Sequence, residues 1–207
     1  MQADTLLSFL AAALFLAVTP GPDNVFVMTQ SALRGRRAGL LVVLGLCTGL
    51  IVHTTAVALG VAVIFQQSQL AFTLLKIAGS AYLLYLAWQA FRAAPNASAA
   101  AAAAPEAGRR LYLRGILMNL TNPKVSLFFL AFLPQFVNQQ AGKVTLQMFV
   151  LGGIFIAATL AAFGLMAVLA AGAGARIGQS ARAQAILNRI AGVVFVGLAA
   201  RLALTER

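Results

Sequence analysis

The sequence predicts an all-α membrane protein: six transmembrane helices arranged as two inverted three-helix repeats, the first and fourth helices broken at proline motifs. Three observations lead there. The chain of 207 residues is 61% hydrophobic and only 9% charged, whereas a soluble domain carries roughly 25% charged residues. Six apolar stretches, about 5–33, 39–65, 69–91, 111–137, 145–171 and 185–204, meet the length of about 20 residues that a spanning helix needs. Short motifs also recur in the same order in the two halves.

The first observation excludes an ordinary water-facing surface, and the mean hydropathy of +0.91 agrees. The balance of 15 Lys+Arg against 4 Asp+Glu suggests a nucleic-acid binder until the positions are read. Arg34, Arg36, Arg37, Arg92, Arg109, Arg110, Arg114, Arg176 and Arg182 sit mostly in the gaps between apolar runs. That is a topology signal, and the basic face of a nucleic-acid binder is missing. Cys47 is the one cysteine, which excludes an intramolecular disulfide and paired-thiol redox chemistry. Met1-Gln2-Ala3-Asp4 has no basic residue, so the first apolar stretch reads as a retained span rather than a cleaved signal.

The second observation sets the organisation. The chain reads as one transmembrane domain, residues 1–207: a first repeat over about 1–92, an alanine-rich cytoplasmic linker over about 93–110, and a second repeat over about 111–207. The gaps at 34–38, 92–114 and 172–184 are basic, whereas Gln66-Gln67-Ser68 carries no charge and 138–144 carries Lys143 alone. The positive-inside rule then puts both termini on the outer face.

The third observation gives the repeat. Lys76-Ile77-Ala78-Gly79 opens the third span and Arg189-Ile190-Ala191-Gly192 the sixth, each with an aromatic three residues on, Tyr82 and Phe195. Gly21-Pro22-Asp23 interrupts the first span and Asn122-Pro123-Lys124 the fourth. Three spans per half force two similar halves into opposite orientations, an arrangement transporters use with the site near the midplane.

The breaks carry the candidate site. Proline removes a backbone donor and clashes with the preceding turn, so Pro20, Gly21 and Pro22 unwind the first helix. In hydrocarbon the freed backbone groups need partners, which places such a break in a protein interior or a wet cavity. Asn122 suits a helix N-cap and Pro123 the first helical position. Each break starts a half-helix with a partly positive N-terminus, and inverted symmetry brings the two together as a receptor for a carboxylate. Asp23 and Lys124 follow the two prolines at matching positions and are expected to face one another. Asp23 then contacts a substrate ammonium or carries a coupling proton. Lys124 contacts a carboxylate or keeps Asp23 ionised. A packing ion pair is the simpler alternative.

Other polar residues in the spans are weaker candidates. Asn24, Gln30 and Asn119 suit either substrate or neighbouring helices, and His53 a proton relay or a hydrogen-bonded core position. Lys76 suits a snorkelling role better than a substrate contact. Gly45 and Gly49 form a Gly-x-x-x-Gly that predicts a close helix contact. Tyr82, Tyr85 and Trp88 suit packing or anchoring at the inner interface. The sequence offers no metal cluster, phosphate loop or nucleophile–base pair, so neither a cofactor nor enzyme chemistry is expected.

Four segments together resemble the LysE/RhtB family of amino-acid exporters: Thr19-Pro20-Gly21-Pro22-Asp23; Arg34-Gly35-Arg36-Arg37-Ala38-Gly39; Leu75-Lys76-Ile77-Ala78-Gly79 with the following Ser80 to Trp88; and Gly115-Ile116-Leu117-Met118-Asn119-Leu120-Thr121-Asn122-Pro123-Lys124. The resemblance covers nearly the whole chain. It implies a bacterial inner-membrane protein that expels amino acids or derivatives, among them lysine, arginine, threonine, homoserine, its lactone and leucine, driven by protons. The family's acidic residue after Pro-Gly-Pro matches Asp23, its Asn-Pro-Lys matches Asn122, Pro123 and Lys124, and its third-span lysine matches Lys76. The implied partners are an amino-acid substrate, protons and the lipid bilayer; a homo-oligomer is an open alternative to the monomer. With Asp23 the one acid within the spans, a neutral amino acid or lactone is expected over a dibasic one. An inorganic-cation exporter would want more carboxylates, imidazoles or thiols. A membrane scaffold without transport activity is the remaining alternative.

Overall fold

The structure, a computed structural model, describes residues 1–67, 69–92, 107–173 and 181–204. The described residues are helical almost throughout. They begin with α1 (Ala3–Val18) and α2 (Pro22–Arg34), followed by α3 (Arg36–Gln67) and α4 (Gln69–Arg92). The second half has α5 (Gly108–Thr121), α6 (Pro123–Leu127), α7 (Val144–Ala173) and α8 (Ala181–Leu204). After α6 the chain continues helically through a wide π turn, Phe128–Phe132, and a tight 3₁₀ turn, Leu133–Phe136.

Arg36–Gly60 and Val144–Gly172 are each long and apolar enough to cross a membrane. Two further stretches qualify as bent pairs: α1 with α2, bent by 61°, and α5 with Pro123–Phe136, bent by 51°. Both bends fall where proline dictates. A residue before proline is pushed out of the helical region. Thr19, before Pro20, has ψ 124°, and Asn122, before Pro123, has ψ 107°. Pro22 and Pro123 then occupy the first turn of α2 and α6, where a missing N–H costs nothing.

The fold is turned inside out relative to a soluble domain. Leu7, Leu59, Leu70, Leu117 and Val193 are each more than 60% exposed, while Asp23, Asn24, Gln30, Asn119, Asn122 and Lys124 are buried. Apolar side chains facing outward suit lipid, and the buried polar groups are the interior of a membrane protein.

Packing follows small residues. α3 is central and packs on both α5 and α7, and α7 also receives α1 and α2. A Cβ at Gly45 would lie 2.1 Å from the Tyr112 carbonyl oxygen, and one at Gly115 would lie 2.4 Å from that of Val42. Backbone therefore meets backbone, as the Gly-x-x-x-Gly of α3 predicts; Gly49 makes room for the Asn119 side chain in the same way. α4 packs on α8. Gly79 in the first half of α4 meets Leu202 near the end of α8, and Gly192 in α8 meets Phe91 near the end of α4, so the two helices run antiparallel. Phe9, Phe128, Phe129, Phe132, Phe136 and Phe155 fill the core between α1, the π turn and α7; Phe9 and Phe136 meet edge to face at 5.1 Å.

Some boundaries differ from the sequence reading. The linker expected over 93–110 lies outside the described residues up to 106, and 108–110 already belong to α5. Helix starts early there because Leu111 is buried against α3 and needs a turn before it. The uncharged gap expected at 66–68 shrinks to Ser68 at most, since α3 runs to Gln67 and α4 starts at Gln69. Arg182 falls within α8, while Arg176 lies outside the described residues. The turn after Phe136 is held by Gln147. Its Nε2 donates to the carbonyls of Asn138 at 2.8 Å and Gly142 at 2.7 Å, and its Oε1 accepts from the Asn138 N–H at 2.9 Å.

The backbone contact of α3 with α5 gives the first testable outcome. Gly45→Ala should lower the stability of the purified protein in detergent by about 1–3 kcal/mol, as overpacked interfaces do. Gly153→Ala, in α7 with nothing within 4 Å of the new Cβ, should be close to neutral. Thermal unfolding of the two variants beside the parent protein measures both.

Candidate functional site

Each break leaves backbone groups that a continuous helix would have satisfied, and the site is built from their partners. At the end of α1 the carbonyl of Phe15 accepts from the Thr19 N–H at 2.9 Å and the Thr19 hydroxyl at 2.8 Å. The Ala17 carbonyl accepts from the Asn24 side-chain amide at 2.7 Å, so α2 folds back to cap α1. The carbonyls of Leu16 and Thr19 accept from the Lys124 ammonium at 3.3 and 3.1 Å. A cation from the second break thus sits at the negative end of the first half-helix, where the helix dipole favours it.

The second break is capped as its sequence suggests. Asn122 Oδ1 accepts from the Lys124 backbone N–H at 3.0 Å, the N-cap geometry. The same side chain reaches across: Asn122 Nδ2 donates to Asp23 Oδ2 at 2.7 Å. Asp23 lies in the first turn of α2, at the positive end of that helix. The two half-helix N-termini therefore meet through one amide–carboxylate hydrogen bond between residues 99 positions apart. A Cβ at Gly21 would lie 3.0 Å from the Lys124 Nζ, so glycine there gives the ammonium room.

Asp23 is 3% exposed and Lys124 8%. They reach one cavity from the two breaks, yet each takes its hydrogen bonds elsewhere: Asp23 from Asn122, Lys124 to the α1 carbonyls. The cavity is also lined by Asn119, by Leu46 and Leu50 from α3, and by Phe155, Thr159 and Phe163 from α7. The enclosed space is water-sized. Two of its acceptors, Asp23 Oδ1 and Asn119 Oδ1, have no hydrogen-bond partner.

The other sequence candidates distribute around this centre. Asn24 caps α1 and lies 3.6 Å from the Met166 sulfur of α7. His53, half-buried on α3, makes a 3.3 Å hydrogen bond between its Nε2 and the Asn119 carbonyl, at the end of α5, and its ring lies 5.6 Å from that of Phe129. Gln30 is buried on α2 two turns beyond Asp23, with Ser31 beside it; Gln30 Oε1 and Ser31 Oγ have no partner. Pro20 is half-buried, and Pro22 and Pro123 are exposed, so the prolines shape the breaks without lining the cavity. Lys76 lies on α4 away from the cavity. Sequence reasoning missed Thr159, a lone threonine in an apolar span, and the carbonyls of Leu16 and Thr19, because backbone acceptors carry no residue signature. Among the described residues, no three His, Cys, Asp or Glu side chains converge as a metal site.

A family model described as LysE type translocator matches residues 14–206. The chain is 35% identical to a homoserine/homoserine lactone efflux protein of Salmonella typhimurium, over 95% of this chain and 94% of that protein. It is 28% identical to a leucine efflux protein of Salmonella choleraesuis, over 95% of this chain and 93% of that protein. No solved structure matches.

The Asn122 bridge has a measurable consequence. Asn122→Ala removes an N-cap, worth about 1 kcal/mol, and strands a buried carboxylate oxygen, worth about 1–3 kcal/mol. Unfolding of the purified variant in mixed micelles should show a loss of about 2–4 kcal/mol. A change below about 0.5 kcal/mol would mean that the two half-helices are not joined there.

Proposed function

The chain belongs to the LysE type translocator family, and from that premise we propose that it exports neutral amino acids or their lactone derivatives across the bacterial inner membrane. One observation carries the reading: a buried carboxylate with an unpartnered oxygen and a buried ammonium share a cavity at the meeting point of two broken helices. Charges at bilayer depth cost several kcal/mol unless paired or hydrated, and they mark functional sites by default. Unwound helix ends near the midplane are where secondary transporters hold substrate and coupling ions. The efflux activities named for the two Salmonella relatives support the substrate class.

In this reading the protein has six spans in two inverted halves. The bent pairs are the first and fourth spans, α3 and α7 the second and fifth, and α4 and α8 the third and sixth. Each of α4 and α8 has 24 residues, about 36 Å of helix, enough for a bilayer core. The most extensive pairings support the repeat because they map onto themselves when the halves are exchanged, while α2 against α3 is not mirrored. α3 against α7 and α4 against α8 are self-paired, and the first span against α7 mirrors α5 against α3. The reciprocal contacts of Gly79 and Gly192 in antiparallel helices have the same symmetry. Both termini lie outside, as the arginine-rich connections suggest, and transport is coupled to protons through Asp23. Because the cavity is water-sized, binding of an amino acid requires the half-helices to part.

The test is efflux from loaded cells expressing Asp23→Asn at a membrane level matched to the parent. Loss of a charge-assisted hydrogen bond worth about 1.5–3 kcal/mol should cut export at least about tenfold. Dissipating the proton gradient should abolish net export by the parent. Near-parental flux through Asp23→Asn, or arginine or lysine as the preferred cargo, would contradict the proposal.

A further inference from the structure

The cavity at the breaks is walled mostly by apolar side chains, with Asp23, Asn119, Lys124 and Thr159 as its polar lining. Leu16 lines it from the end of α1, and the Leu16 and Thr19 carbonyls, which no further helical turn takes up, both accept from Lys124, which also lines it. Asp23, also in the lining, has its Oδ1 without a partner. The ligand complementary to such a set is a compact cation with several N–H donors, which satisfies carbonyls and a carboxylate together. One group of that kind is already there. The Lys124 ammonium, on its four-carbon stem from the opposite break, sits 3.1 and 3.3 Å from the two carbonyls, and Gly21 leaves it room. A lysine at a helix N-terminus opposes the local dipole; here it turns away from its own helix and to the negative end of another.

We propose that the Leu16 and Thr19 carbonyls together with Asp23 form the ammonium subsite, and that Lys124 is its tethered occupant in the substrate-free protein. The substrate's primary ammonium displaces the Lys124 Nζ from the two carbonyls. One cation leaves the subsite as another arrives, so Asp23 is never left without a neighbouring positive charge. The released Lys124 can then face the carbonyl end of the substrate. A primary ammonium is what amino acids and amino lactones have in common, so one subsite serves both. This deepens the export reading and rests on it for the identity of the physiological ligand; the acceptor set itself stands on geometry.

The subsite can be tested without transport. Purified Lys124→Ala in detergent should gain a saturable upward shift of its unfolding midpoint from methylammonium chloride. Tetramethylammonium, which has no N–H, and sodium chloride at equal concentration should give none. The parent protein and Lys124→Met, whose stem still fills the space, should not respond to methylammonium. Adding Asp23→Asn to Lys124→Ala should remove the shift. Absence of the shift, an equal shift in the parent, or an equal effect of sodium would overturn the proposal, the last by pointing to an alkali-cation site. Should Lys124→Ala not survive extraction, its folded yield with methylammonium present becomes the readout; recovery by methylammonium and not by tetramethylammonium supports the subsite, and no recovery overturns it. A methylammonium shift with no amino-acid efflux would reject the exporter reading and leave the subsite standing.

Discussion

A helix broken inside hydrocarbon must have its backbone satisfied from within the protein, and the rest of this structure follows from how that is done. At the end of α1, carbonyl groups that would have bonded to the next turn are taken by Asn24 and Lys124. Of these, Lys124 comes from the other half of the chain. Its reach fixes where the second break lies relative to the first. Asn122 completes the junction by capping its own helix and holding Asp23 with the same side chain. Glycine at 45, 49 and 115 then lets α5 approach α3 closely enough to bring Asn119 beside the junction.

The same constraint links stability to function. Capping groups that are neutral and permanently paired would make the breaks inert. Here the caps include a charged side chain reaching over from the other half, and Asp23 Oδ1 nearby has no partner. A junction held by exchangeable hydrogen bonds can come apart and reform for less than a junction of packed apolar side chains. The phenylalanine core lies between α1, the π turn and α7 and reaches the cavity through Phe155, while the outward leucines and valines match lipid. The cavity is water-sized, and the proposed export cycle must widen it.

Much of this was legible in the sequence because membrane solvent makes interruptions conspicuous. A proline in an apolar run, an acid or lysine next to it, and a Gly-x-x-x-Gly each have few physical readings, and the breaks, the grouping of Asp23, Asn122 and Lys124, and the α3–α5 contact are where those features put them. What sequence could not supply were partners made of backbone. Nothing about Leu16 or Thr19 marks their carbonyls as lysine acceptors, and nothing about Thr159 separates it from a threonine that bonds only to its own helix, as Thr54 does to Leu50. The early start of α5 at Gly108 was hidden by an alanine-rich, arginine-bearing approach that reads as linker. Gln30 shows the limit of ranking by polarity alone, since it is buried within α2 and does not line the cavity; Lys76, read as snorkelling, does not line it either.

The central claim is that the two helix breaks are energetically one unit through Asp23 and Asn122. A double-mutant cycle measures it directly: unfolding free energies in micelles for the parent, Asp23→Asn, Asn122→Ala and the double variant. Residues in direct contact couple by about 0.5–3 kcal/mol. This account predicts a coupling of at least about 1 kcal/mol, the double variant being less destabilised than the sum of the singles. Additive losses would contradict it, because two breaks that do not sense one another could not form a shared site.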